Sequence, residues 1–302
     1  ESGRKVDIIS NRDLKYLNPK NLSEALEAIS SINISDYGSL GAQKTINMRG
    51  STASQVLILV DGRPINSPRS GDLNFTTIPL ENIERVELMH GPASSLYGSS
   101  AMGGVVNIIT KQPPKKGQKV KLLSSFGTFR TYQEYLSYGA GFRNFGYQIN
   151  SSYQSSEGHR DNAEYNSKDV STKLTYEFNP ENKVILNGGF YKDKLGAPGT
   201  ITSPDLNDKQ IDRKNFFDLQ WEVKPWQDKD IEVSSRIYQN YDRLEFIETP
   251  EPLDKTTHTT KSRAINLKLN QAVTKTYRAI WGFDWTGNFN DSSKTAKHKY
   301  IV

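Results

Sequence analysis

Four histidines and no cysteine are what this sequence offers for metal or nucleophilic chemistry. His90, His159, His258 and His298 lie far apart, without the HxxxH spacing that sets two imidazoles on one helix face. The absence of thiols excludes disulfide frameworks and thiolate metal sites. No Gly-x-Ser-x-Gly elbow is present to expose a serine nucleophile. Gly98-Ser-Ser-Ala-Met-Gly103-Gly104 has the glycine density of a phosphate loop but lacks the Gly-Lys-Ser/Thr ending, and a β-branched run follows where a helix should start. It reads as a turn. These residues point away from catalysis, and the chain is not expected to be an enzyme.

The elements around that turn are short and glycine-punctuated. Ile46-Asn47-Met48-Arg49-Gly50 leads to Val56-Leu57-Ile58-Leu59-Val60-Asp61-Gly62. Ile83-Glu84-Arg85-Val86-Glu87, Gly91-Pro92-Ala93-Ser94-Ser95-Leu96-Tyr97-Gly98 and Gly103-Gly104-Val105-Val106-Asn107-Ile108-Ile109-Thr110 follow in order. Such runs predict a compact sheet of short strands joined by tight turns. Val56–Val60 is apolar without alternation, which predicts a strand covered on both faces. Ahead of it, residues 1–45 read as a strand at Val6–Ile9, a helix and a second strand. The helix is capped by Asn21 with Glu24 three residues on, and Leu22, Ala25, Leu26 and Ile29 share one face.

Lys111–Gly117, centred on Pro113-Pro114, is a linker, and the texture changes beyond it. Thr172, Leu174, Tyr176 and Phe178 alternate with Lys173, Thr175 and Glu177. Phe217, Leu219, Trp221 and Val223 alternate with Asp218, Gln220 and Glu222, and the same period-two pattern recurs at Ile265–Asn270 and Arg278–Trp285. Short turns are expected at 142–145, 179–182, 225–230 and 273–276, and longer polar loops at 155–168, 193–212 and 244–260. A soluble sandwich has no reason to lengthen every second connection, whereas outer-membrane barrels do. About nine strands are expected, too few to enclose a domain of over a hundred residues, so the chain reads as part of a larger barrel.

Composition agrees with a turn-rich β protein: 22 Gly and 13 Pro, with aromatics at 10% and hydrophobics at 35%. No apolar run approaches the ~18 residues of a membrane helix, a test that barrel strands escape. The net charge of +5 is scattered along the chain, and no nucleic-acid partner is expected.

The five ordered blocks resemble the plug domain of TonB-dependent outer-membrane receptors: "IRG", "VDG", "IERVEV", "GPxSxLYG" and "GGVxNIIT" all have their counterparts here. The Arg-Gly-x-x-Ala-Ser-x-Val-Leu-x-Leu reading at Arg49–Leu59 is similar to the vitamin B12 (cobalamin) receptor group. The resemblance implies a mixed α+β plug domain over 1–112, followed over 117–302 by antiparallel transmembrane strands from a 22-stranded β-barrel. It implies residence in a Gram-negative-type outer membrane, contact with its lipid, and import energised by TonB from the periplasm. The TonB box that usually precedes such a plug is not seen. Cobalamin is the first expectation for cargo, a ferric siderophore or haem the second, and a non-transporting surface-binding β protein the reading from another class.

Carried over by position, the resemblance puts cargo contacts at Gln43, Thr45, Thr52, Arg69 and Ser70. It makes Arg49 a plug–barrel coupling residue. It also puts His90 where the family usually has a second arginine, with partner carboxylates expected beyond Val302. Some cobalamin receptors hold calcium on an acidic outer loop. Here that place reads Asp161-Asn162-Ala163-Glu164, so Asp161, Glu164 and Asp212 are candidate oxygen ligands, fewer than the six to eight oxygens calcium takes.

Overall fold

The computed structural model describes residues 6–295 except 18, 20, 29–31, 37, 39, 43, 49, 68–74, 92–98, 226–229, 249–253 and 275–276. It divides into two compact units, Glu1–Lys111 and Gln112–Val302.

The first unit opens with strand β1 (Val6–Ser10), helices α1 (Asn11–Leu17) and α2 (Leu22–Glu27), and strands β2 (Ile32–Asp36) and β3 (Lys44–Met48). One strand, one helix and one strand were expected up to residue 45; α1 is additional. Its signal is a Ser-x-x-Asp cap. The Ser10 amide and hydroxyl donate to Asp13 at 2.8 and 2.6 Å. Those bonds hold the Asp13 carboxyl below its ordinary range. Only Leu14 of α1 is buried, so no apolar stripe marked it. The expected cap of α2 is present, with the Asn21 side chain accepting from the Glu24 amide at 3.0 Å.

Strands β4 (Val56–Val60), β5 (Arg63–Pro64), β6 (Ile83–His90) and β7 (Gly104–Thr110) complete a five-stranded sheet in the order β1-β6-β7-β4-β5, while β2 and β3 pair separately. Among the described strands only β4 and β7 pair in parallel. Val56 and Ile58 join the large core with Leu22, Leu26, Ile46 and Phe75, whereas Leu57 and Leu59 join a second cluster with Ala101 and Val105. The unbroken apolar run of β4 therefore covers two faces.

The glycine-punctuated blocks hold one another. Asp61 accepts from the Thr110 amide and hydroxyl at 2.9 and 2.6 Å. The Gly62 amide donates to the Asn107 side chain at 3.1 Å, and Asn107 donates on to Glu87 at 3.2 Å. Ser51 closes the turn after β3 by donating to the Met48 carbonyl at 2.7 Å, and the Gly103 amide donates to the Gln55 carbonyl at 2.8 Å.

The second unit is an antiparallel meander of nine strands in sequence order among the described residues. They are β8 (Gly117–Gly127), β9 (Thr131–Phe142), β10 (Phe145–Ser156), β11 (Tyr165–Asn179), β12 (Asn182–Gly196), β13 (Lys209–Val223), β14 (Ile231–Glu248), β15 (Asp254–Ala272) and β16 (Arg278–Thr295). The strands run further into the connections than polarity suggested, so the expected long connections shrink to 157–164, 197–208 and 249–253, and the last is shorter than the 224–230 connection, which was expected to be a short turn. Ladder hydrogen bonds satisfy polar segments such as Lys209–Arg213 as well as apolar ones.

The apolar face is the exposed one. Ile149, Val170, Phe190, Phe217, Ile237, Leu267 and Phe283 each leave 46–58% of their surface open, while Gln148, Asn150, Asp169, Lys173, Asn187, Asp193 and Asp218 are buried. In water that arrangement would be a large apolar patch prone to association. In a bilayer it is the arrangement a barrel needs. Among the described residues no helix is long and apolar enough to cross a membrane, which says nothing about crossing by strands.

Candidate functional site

Two of the expected cargo residues fall in well-defined local structure. Thr45 is half-buried in β3, opposite Ser35 of β2. Thr52 is exposed beyond the Gly50 turn and starts a single 3-10 turn at Ala53–Gln55, where its amide donates to the Gln55 side chain at 3.1 Å. From Thr45 to the end of β3 is about 10 Å of strand, so the two hydroxyls sit on either side of the turn. Gln43, Arg49, Arg69 and Ser70 lie outside the described residues.

His90 has a partner that spacing did not suggest. At the end of β6 its ring is buried, with Nε2 2.7 Å from the Asp7 carboxylate of β1. The carboxylate was expected beyond Val302; the one His90 meets belongs to the plug's own first strand, 83 residues back in sequence. The β1–β6 register, Val6 against Met89 and Asp7 against Leu88, brings the two together. His90→Ala is expected to cost about 1–3 kcal/mol, because it leaves Asp7 without this bond. Urea unfolding of the receptor measures it, and an unchanged midpoint would mean the contact contributes nothing.

The three acidic residues suggested for calcium do not converge. Asp161 is exposed, Glu164 faces Lys209 at 3.6 Å, and Asp212 is buried on β13. Among the described residues no group of three or more His, Cys, Asp or Glu is placed to hold a metal ion. The two loops are instead tied to each other. Asn162, at φ 54°, donates to the Asp205 and Asp208 carbonyls at 3.2 and 3.0 Å, and Arg160 donates to the Gly199 carbonyl at 2.5 Å. The Asp208 and Asn207 amides donate to the half-buried Asp205 carboxylate and hold it below its ordinary range.

Below these loops the buried face carries a polar cluster that residue spacing did not reveal. Tyr165 and Tyr191 meet hydroxyl to hydroxyl at 3.1 Å, and Tyr191 donates to Asp193 at 2.8 Å. The other Asp193 oxygen accepts from the Asp212 amide at 3.1 Å. Further down, Asp218 accepts two bonds from Arg236, both at 2.7 Å, and one from Asn187 at 3.1 Å. The only available signal was that these positions are the polar halves of alternating strands; their meeting depends on register. Phenols, amides and carboxylates so arranged can hold a polar solute by hydrogen bonds.

Comparison with known proteins agrees with this division. Residues 1–105 match the family described as the TonB-dependent Receptor Plug Domain. The vitamin B12 transporter BtuB of Vibrio vulnificus is 30% identical over 69% of this chain and 34% of its own length. The ferric enterobactin receptor PirA of Pseudomonas aeruginosa is 40% identical over 36% of this chain and 16% of its own. Among solved structures, the ferric enterobactin receptor PfeA of Pseudomonas aeruginosa superposes with a TM-score of 0.75 at 20% identity, covering 95% of this chain and 49% of that one. The chain thus spans about a third or less of the curated relatives it matches and about half of the solved structure. With a plug sheet, a linker and an apolar-out meander in that order, the chain belongs to the TonB-dependent receptors, as a plug domain followed by strands of the β-barrel.

Proposed function

We propose that this chain is the plug and part of the barrel of an outer-membrane receptor that captures a scarce, bulky nutrient outside a Gram-negative-type cell and imports it with energy delivered by TonB. The observation that carries the reading is the inverted polarity of the nine-strand meander attached to a plug sheet. Exposed aliphatic and aromatic side chains suit lipid, and the buried polar wall suits a path for a polar cargo. An outer membrane has no nucleotide supply, so coupling to a partner protein makes physical sense.

Cobalamin is the proposed cargo, supported by the Arg49–Leu59 pattern and the similarity to BtuB. A ferric siderophore is the second reading, favoured by the 40% identity to PirA. The test is binding of labelled cyanocobalamin to cells producing the whole receptor, with and without calcium and against a ferric-siderophore competitor. Saturable binding that the siderophore does not displace supports cobalamin. A calcium requirement would bring Asp161, Glu164 and Asp212 back as ligands assembled on binding. Absence of cobalamin binding by protein recovered in the outer-membrane fraction moves the cargo to an iron chelate. Uptake that persists without TonB would overturn the transport reading itself.

A further inference from the structure

Two side chains on the buried face of the meander hold acceptor oxygens that receive no hydrogen bond among the described residues. They are Oδ1 of Asp169 on β11 and Oδ1 of Asn187 on β12. Both residues are more than nine-tenths buried, at 8% and 6% exposure. A buried acceptor without a donor carries the full desolvation cost of the group, and in a native protein it calls for a specific explanation.

The neighbours do not supply the missing donors. Tyr191 lies directly opposite Asp169 but donates to Asp193, at 2.8 Å. The Asn187 amide nitrogen is taken by Asp218 at 3.1 Å, which leaves its oxygen as the unused end. Between the two levels lies Gly189, opposite Ser171 of β11 and Phe216 of β13. A Cβ on Gly189 would sit 2.6 Å from the Phe216 ring, so an apolar ring covers this stretch and offers no donor. From the level of Asp169 to that of Asn187 is four residues of strand, about 13 Å.

The surroundings are acidic as well as rich in acceptors. Two residues nearer the longer connections, Asp193 and Asp212 lie directly opposite each other. The row of Asp169 continues through Tyr191 to Lys214 and Asp242. Over β11–β14 these two rows therefore carry Asp169, Asp193, Asp212 and Asp242 against Lys214 alone. Such a wall suits a solute that brings its own N–H groups and no net negative charge. A polyanionic chelate would add further acceptors and would meet aspartates, which selects against it.

We infer that Asp169 and Asn187 are cargo-recognising residues on the import path, which accept hydrogen bonds from the amide N–H groups of a neutral cargo and disfavour polyanionic iron chelates. The inference rests on the import reading above and narrows its cargo to neutral, amide-bearing molecules. In the receptor without cargo the two oxygens are unpaired, and a donor that arrives with the cargo relieves that cost. Their spacing along the strands lets a molecule with several amides pass from one acceptor to the next.

The test uses the whole receptor in cells that contain TonB. Labelled cyanocobalamin is the neutral, amide-bearing probe, and ferric enterobactin is the polyanionic one. Asp169→Leu, similar in size, removes the acceptor. TonB-dependent uptake of cyanocobalamin is expected to fall about 10-fold, the loss of one hydrogen bond to a strong acceptor. In detergent the same variant should unfold at a higher temperature than wild type, because it discards a buried oxygen that has no donor. A residue that merely supports the wall would lower both readings. Asp169→Asn keeps an acceptor oxygen and should hold uptake within about threefold of wild type. An Asp169→Leu receptor that imports cyanocobalamin at the wild-type rate, or that is less stable than wild type, would overturn the proposal. So would a wild-type receptor that imports ferric enterobactin in preference to cyanocobalamin, a result that leaves TonB-dependent import standing. Cyanocobalamin uptake that persists unchanged without TonB would instead sink the import reading.

Discussion

Replacing Asp218 with alanine is expected to destabilise the barrel by about 3–5 kcal/mol, the scale of leaving a buried charge without its partner. The Asp218 side chain is 1% exposed and that of Arg236 is 13%, with both guanidinium bonds at 2.7 Å. Asn187 and Gln220 also donate to Asp218, at 3.1 and 3.0 Å. Truncation therefore takes two bonds from a largely buried guanidinium and one from each of two amide donors at once. Removing both charges in Asp218→Leu with Arg236→Met should recover most of the loss, because buried pairs are often no more stable than an apolar replacement. Unfolding of the receptor in micelles by urea or heat reads both. If the single variant proves as mild as the double, the pair is better hydrated than its burial indicates.

Gly104→Ala is expected to have a comparable effect on the plug, about 3 kcal/mol or more. Gly104 begins β7 at φ 153°, and a Cβ there would lie 2.7 Å from the Met89 carbonyl and 3.0 Å from the methyl end of Met48. The substitution combines a strained backbone conformation with an overpacked contact, each worth about 1–3 kcal/mol. The carbonyl is the deciding contact, since it belongs to the neighbouring β6 and cannot rotate away without breaking the ladder, in which Met89 pairs with Val105. Protease protection of the plug against that of the barrel in the same sample distinguishes local from global loss. A fully protected Gly104→Ala plug would mean that β6 and β7 separate at little cost.

Both expectations show where reading a sequence stops. The glycines of the plug blocks were visible as residue types, and their order carried the family. The reason Gly104 resists a side chain is the Met89 carbonyl on another strand. Asn21 announced α2 because capping is a contact over three residues; Ser10 and Asp13 make a contact of the same span, but α1 was missed because a helix with one buried leucine offers no periodicity beside it. Thr45 and Thr52 could be aligned to a pattern, yet what surrounds them depends on the β2–β3 pairing and the Gly50 turn.

By itself the sequence determined the quantities carried by near neighbours: period-two alternation in the long strands, the proline linker at 113–114, turn positions such as 142–145, and the double-sided apolar run at Val56–Val60. Tertiary structure alone decided which half of each alternation meets the outside. Period two is the same whether the apolar residues face a core or a lipid, and only the face that the folded sheet buries breaks that symmetry. It also decided every pairing across strands. His90 with Asp7 and Tyr165 with Tyr191 join residues 83 and 26 positions apart. Contacts of that span are set by register, and a slip of one residue would send each of these side chains to the opposite face.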